Sequence, residues 1–278
     1  MIAQPTVRST SAESWQLQMF SKTLKKQQKL RLLLRMLGPL TDEDCLLVTN
    51  GDNNGALNYH FRHAGGNWTW GEMEEDAIPA MAAFLGEPVR HVSADSLPFP
   101  DETFDRVVVI DVHEHLEDVR PLNREIARVL RPGGVAIVTT PNGNTLLPVS
   151  VLKRLMGMGP AAYGHVVQGY NIDELESMLR SVELRPEASG GYARFFTELA
   201  ELAINFGYVK ILSRRKKGPP VAKGTIAPSS EDQLRAVRKT YRIYSFIYPL
   251  VRTFSALDAL IPGGSGYAVA VAARKPGG

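Results

Sequence analysis

Cysteine is nearly absent from this chain, with Cys45 standing alone among 278 residues. No internal disulfide can form, and a reducing compartment is the simplest expectation. An uninterrupted apolar run of about 20 residues is also missing, so no bilayer-spanning helix is expected. The opening stretch MIAQPTVRSTSAESWQ has no apolar block of the kind that a secretion signal needs. Nor is there an excess of one charge: 32 Lys and Arg against 29 Asp and Glu leave a formal +3. That is too little for the basic stripe of a dedicated nucleic-acid binder. These absences point to a cytoplasmic protein, soluble or attached to a membrane surface, without a nucleic-acid partner. Apolar residues, by contrast, are plentiful. A hydrophobic content of 44% is enough to close the core of one large α/β domain or two small ones.

Between residues 13 and 37, Trp15, Phe20, Leu24, Leu30, Leu33, Leu34 and Leu37 recur at roughly helical spacing. Lys25, Lys26, Lys29, Arg31 and Arg35 fall among them, reading as the solvated basic face of one or two helices, or else as a nucleic-acid or membrane contact. Strands and helices then alternate. Residues 45–49 (CLLVT) form a first strand that ends in the loop 50–55, and residues 67–72 (NWTWGE) a second, followed by a helix over 76–85. A third strand covers 89–94. Residues 104–112 (FDRVVVIDV) are an unbroken β-branched run suited to a strand buried on both faces. Leu122, Ile126, Val129 and Leu130 mark a helix stopped by Arg131-Pro132-Gly133-Gly134, and residues 135–140 make a fifth strand. Asn171 followed by Glu174 predicts a capped helix over 171–180. Residues 182–186 and 266–275 read as further strands. This alternation implies right-handed crossovers and a parallel sheet, whose ligands bind at the carboxyl ends of the strands.

The candidate site residues lie on those strand ends. Thr49, Asn50, Gly51, Asp52, Asn53 and Gly55 form a turn whose glycines let backbone approach a ligand closely. Glu72, with Met73 after it, ends strand two, where a carboxylate accepts the hydroxyls of a ribose. Asp95, Ser96 and Leu97 follow strand three and suit an adenine amine and ring. Strand four ends in Asp111-Val112-His113-Glu114-His115.

Taken together, NGDNNGAL, Glu72, ADSLPFPDETFDRVVVIDVHEHL and RVLRPGGVAIVTTPN resemble the class I methyltransferases, and most closely the type 11 quinone-biosynthesis and small-molecule enzymes. The resemblance is firm over about 100 residues and looser over about 50 more. It implies an α/β, Rossmann-like three-layer sandwich with a mostly parallel seven-stranded sheet, an antiparallel last strand and a helical insert. The cofactor would be S-adenosylmethionine, leaving as S-adenosylhomocysteine, with Asp111 also contacting it. The sequence departs from the family at Thr49, which replaces the acid ending strand one, and at Asn53, which replaces the middle loop glycine. The chain reads as a single domain: helical cap 1–44, cofactor core 45–142, substrate-facing segment 143–190, insert or lid 191–265 and final strand 266–278.

Transfer to an oxygen acceptor needs a base poised near neutrality, and His113, His115 and His165 are the candidates. His115 also suits an ordering role in the strand-four loop. His113 has the alternative of simple solvation, and His165 that of a helix cap or a contact to the cofactor's carboxylate end. A second reading of Asp111, Glu114 and His115 is a divalent-ion site for Mg²⁺ or Mn²⁺. In the insert, residues 195–212 and 241–262 are apolar and aromatic, joined through the basic run 213–217 and a Pro/Gly/Ser linker at 218–230. They would either roof an acceptor pocket or face a membrane through 195–217 and 241–262. Both readings favour a small, apolar or lipid-like acceptor. Two rival functions are a nicotinamide-dependent oxidoreductase or epimerase on a related fold and a non-catalytic scaffold.

Overall fold

The computed structural model describes residues 14–51, 54–159, 164–213, 238–261 and 266–277. Asp52, Asn53, the end of the basic run at 214–217, the linker at 218–230 and residues 262–265 lie outside them. Two helices, α1 (Trp15–Phe20) and α2 (Leu24–Leu37), precede the first strand. Then follow β1 (Asp44–Thr49), α3 (Ala56–His63), β2 (Asn67–Glu72), α4 (Ile78–Leu85), β3 (Val89–His91) and β4 (Phe104–Ile110). The second half runs α5 (Arg120–Val129), β5 (Leu130–Pro141), α6 (Pro148–Leu155), α7 (Ile172–Arg180), β6 (Arg185–Tyr192), α8 (Phe195–Ser213), α9 (Arg238–Ala256) and β7 (Ala268–Arg274).

The seven strands pair in the order β3-β2-β1-β4-β5-β7-β6. β1 to β5 are mutually parallel, while β7 runs antiparallel to both β5 and β6. The β-branched run behaves as its composition demands: Val107, Val108 and Val109 of β4 are fully buried. Alternate residues face opposite layers. Val107 and Val109 meet Leu122 and Ile126 of α5 and Leu175 and Leu179 of α7. Val108 and Ile110 meet Leu33 and Leu37 of α2, Phe61 of α3 and Met81 of α4. Helices thus cover both faces of the sheet, which is the expected three-layer arrangement.

Local signals set several boundaries. Asn171 Oδ1 accepts the Glu174 amide at 2.9 Å and Glu174 Oε2 accepts the Asn171 amide at 2.8 Å, closing the capping box of α7. The sixth strand corrects the expected span of 182–186. Residues 181–183 form a turn with Glu183 at φ +65°, and β6 runs on to Tyr192 because β7 pairs with it as far as Ala268. Short-range pattern carries no record of that partner.

Candidate active site

β1 and β2 lie side by side with Thr49 opposite Glu72, so their ends and the glycine loop share one edge. Glu72 is fully buried and closes the loop from beneath. Its Oε2 accepts the Thr49 hydroxyl at 2.6 Å, and its Oε1 accepts the amides of Gly51 at 2.7 Å and Glu74 at 2.9 Å. The side chain that replaces the family's acid therefore serves as a donor to the acid on the neighbouring strand. Burial raises the Glu72 carboxyl above its ordinary value, against the pull of those donors. Gly55, at φ +88°, caps α3, and a Cβ there would meet the Phe84 ring at 2.7 Å.

Next along the edge, Met73 is half-buried, its amide bonded to the Thr49 carbonyl, and Asp95 and Ser96 are exposed beyond β3. Leu97 differs from expectation: its side chain is buried and its amide donates to Glu125 Oε2 at 2.8 Å, leaving neither for an adenine ring. Asp111, just past β4, has φ +51°, a strained backbone for a non-glycine residue and one that clusters at functional sites.

The partner of Asp111 corrects the reading of the N-terminal helix. Lys29, assigned to a solvated basic face, is 5% exposed and pairs through Nζ with Asp111 Oδ2. Helical periodicity gives no warning, because a lysine on an apolar face is indistinguishable in sequence from one at its margin. The expected ion site changes accordingly. Among the described residues, the group whose ligand atoms lie within 4.8 Å of one another is Glu114, His115 and His165, without Asp111. Two imidazoles and one carboxylate suit a transition metal better than Mg²⁺.

The three histidines separate. His115 and His165 meet edge to face with ring centroids 4.9 Å apart, and His115 Nδ1 lies 3.2 Å from the Gly164 carbonyl. Glu114 is buried beside them, with Oε2 accepting the Thr140 hydroxyl at 3.1 Å and its carbonyl accepting the amides of Val166 and Val167. Those amide bonds bring the His165 segment to the end of β4 across some 50 residues of chain. Burial, reinforced by Asp111, holds the Glu114 carboxyl well above the usual range. Burial and then His115 lower His165 to about 4. His113 points elsewhere: it is fully buried, and its Nε2 sits 2.8 Å from Asn123 Oδ1. Neither the solvated ring nor the acceptor-facing base expected for His113 is what the fold makes of it.

Burial also lowers His113 to about 4 from an ordinary value near 6.5. Between those values the unfolded chain binds the proton and the folded chain does not, so His113 removes stability as pH falls through this window. The slope is at most about 1.4 kcal/mol per pH unit. Urea unfolding of His113→Gln should show a shallower loss from pH 6.5 to 4 than the parent; parallel curves would mean that this ring does not titrate on unfolding.

Over this edge lies a polar knot that composition alone could not reveal. Glu198 of α8 is 2% exposed and bonded to Lys25 of α2 at 3.2 Å and to Lys153 of α6. Burial opposes its charge, but Lys25 and Lys153 outweigh that and keep it below the ordinary carboxylate value. Beside the knot, Val149, Met158, Leu202 and Tyr267 form a separate apolar cluster, with Phe195 and Leu199 against it. A cavity of about 640 Å³ lined by Asp44, Arg62, Trp68 and Arg131 opens at the opposite, amino edge of the strands. Two of its three arginines are ion-paired, Arg62 with Glu87 and Arg131 with Asp44 and Asp105, and Arg90 lies over the Phe99 ring.

Residues 51–138 match the family model described as a methyltransferase domain. A probable S-adenosylmethionine-dependent methyltransferase of Mycolicibacterium smegmatis is 48% identical over 60 residues, 22% of this chain and 23% of that protein. A ubiquinone biosynthesis O-methyltransferase of Ruegeria pomeroyi is 29% identical over 128 residues, 44% of this chain and 50% of that one. The matched stretches thus span about a quarter to a half of these relatives' length. Among solved structures, the phosphoethanolamine N-methyltransferase 2 of Haemonchus contortus, in complex with S-adenosyl-L-methionine, superposes with a TM-score of 0.54 at 15% identity. That match covers 90% of this chain and 52% of that one. Residues 51–138 thus match the methyltransferase-domain family model, and the chain shares the Rossmann-like fold of solved S-adenosylmethionine-dependent methyltransferases.

Proposed function

We propose that this protein transfers a methyl group from S-adenosylmethionine to an oxygen of a small, apolar or lipid-like acceptor. The observation that carries the reading is the convergence on one sheet edge of the Glu72-buckled loop, Asp95 and the His115–His165 pair. The cofactor supplies an electrophilic methyl on its sulfonium. The chain's part is to hold the adenosine half along Gly51, Glu72, Met73, Asp95 and Ser96 and to orient the acceptor. It also takes the acceptor's proton at a ring nitrogen of His165 or His115. His165, lowered to about 4 by burial and His115, is an unprotonated acceptor through the neutral range, though a weaker base than one poised near neutrality. The apolar cluster of Val149, Met158, Leu202 and Tyr267 supports an acceptor with a hydrocarbon body, because a sugar would leave its hydroxyls unpaired there.

A metal-assisted variant draws support from Glu114, His115 and His165. Glu114 Oε1 and His115 Nε2 are buried without a hydrogen-bond partner among the described residues. A divalent ion there would hold an acceptor oxygen and ease its deprotonation.

The test supplies methyl-labelled S-adenosylmethionine and a cell lipid extract to the full chain, with and without a chelator. Label in the organic phase on a product heavier by CH₂ is the expected result, and its loss with chelator selects the metal variant. Label confined to water-soluble products would overturn the acceptor class.

A further inference from the structure

Helix α9 is amphipathic in the reverse sense for a surface helix. Its inward side carries the hydroxyls: Tyr241 donates to the Gln18 carbonyl at 2.9 Å, Tyr244 donates to the Lys22 carbonyl at 2.5 Å, and Tyr248 accepts from Gln27 Nε2 at 3.0 Å. These bonds tie α9 to the N-terminal helices and fix its rotation. Its outward side carries Ile243, Phe246, Ile247 and Leu250, exposed by 66%, 87%, 43% and 73%. They recur at i, i+3, i+4 and i+7, so they form one stripe about 10 Å long by helical rise. Leu257 and Leu260, in the turn that follows, are exposed as well. A surface helix in water shows the opposite arrangement, and a contiguous apolar patch of this kind marks an interaction site.

The charge on this face selects the partner. Arg242 is exposed beside the amino end of the stripe, and from residue 238 to 260 the only acid is Asp258. Asp258 is buried, where it accepts the amides of Phe196 and Thr197 at the start of α8. Two copies meeting through this face about a twofold axis would bring their Arg242 side chains together, and the described residues of α9 offer no exposed carboxylate to pair with them. No helix among the described residues is long and apolar enough to cross a membrane, so the stripe suits lying on a bilayer rather than spanning it.

We propose that the outward face of α9 docks this protein on an anionic lipid bilayer, with Phe246 and Leu250 entering the acyl boundary and Arg242 meeting acidic headgroups. The proposal stands on α9 alone and is independent of the reaction, so it is tested without cofactor or acceptor. The full chain is sedimented with phosphatidylcholine vesicles with and without phosphatidylglycerol. Binding to the phosphatidylglycerol vesicles is expected. It should fall roughly tenfold or more in Phe246→Ser/Leu250→Ser and about fivefold in Arg242→Gln, with unchanged melting curves for these exposed positions. Equal sedimentation of parent and double variant, or no enrichment by phosphatidylglycerol, overturns the proposal. So does a concentration-dependent dimer in light scattering that the double variant abolishes, which would make a second copy the occupant.

Discussion

Glu198→Ala is expected to lower unfolding free energy by about 3–5 kcal/mol, because it leaves two lysines facing each other without the carboxylate between them. Lys25 and Lys153 come from α2 and α6, so Glu198 joins the N-terminal cap, the segment after β5 and the insert at one buried point. Burial already lowers the Lys153 ammonium below its ordinary value despite Glu198, so its removal should favour the neutral amine further. The effect reaches the candidate site as well, since both lysines act on His165 and depress its basicity. Urea titration of Glu198→Ala and Glu198→Gln measures it. Gln keeps one oxygen to accept from one of the two lysines and should lose less than Ala. A loss under about 1 kcal/mol in both would mean that solvent reaches this knot and screens it.

The largest kinetic effect is expected at His165. Removal of a general base costs typically 10²–10⁴-fold in rate, and His165→Ala should show it in kcat, with cofactor affinity retained. Because burial and His115 hold His165 near 4, the acid limb of the parent's rate should have its midpoint closer to pH 4 than to 6.5. Above that limb the ring is neutral and competent; below it the proton occupies the accepting nitrogen. A variant within threefold of the parent, with the same acid limb, would move the base to His115 or to the acceptor itself.

The sequence discloses its strands better than its side-chain partners. β2 is read to the residue, and β4 and the end of β1 nearly so, because the buried centre of β4 is an apolar β-branched run, β2 carries β-formers Trp68, Thr69 and Trp70, and turn residues stand out beside them. The strand ends that carry Gly51, Glu72, Asp95 and Asp111 follow directly. What stays hidden depends on long-range pairing. Lys29 reaches Asp111 across 82 residues, and Glu198 reaches Lys25 across 173. Neither contact leaves a periodic trace, since a charge that will be buried looks in sequence like one that will be solvated. His113 and His115 are two residues apart on one 3₁₀ turn, yet one enters the core and the other meets His165. Only the packing of α5, through Asn123, separates them. Glu72 is legible as a candidate at the end of strand two, but its hold on the loop through Thr49 and Gly51 emerges only when β1 and β2 are paired.

Glu72 offers the most direct test of the central claim. Glu72→Gln retains an oxygen for the amides of Gly51 and Glu74 and a polar contact to Thr49, so the loop should stay closed. What it loses is the carboxylate proposed to receive the ribose hydroxyls. Calorimetric titration of the full chain with S-adenosylhomocysteine should give one-site heat. Glu72→Gln should bind about tenfold or more weakly, as the loss of a charge-assisted hydrogen bond requires. Heat with NAD and none with S-adenosylhomocysteine would contradict the account.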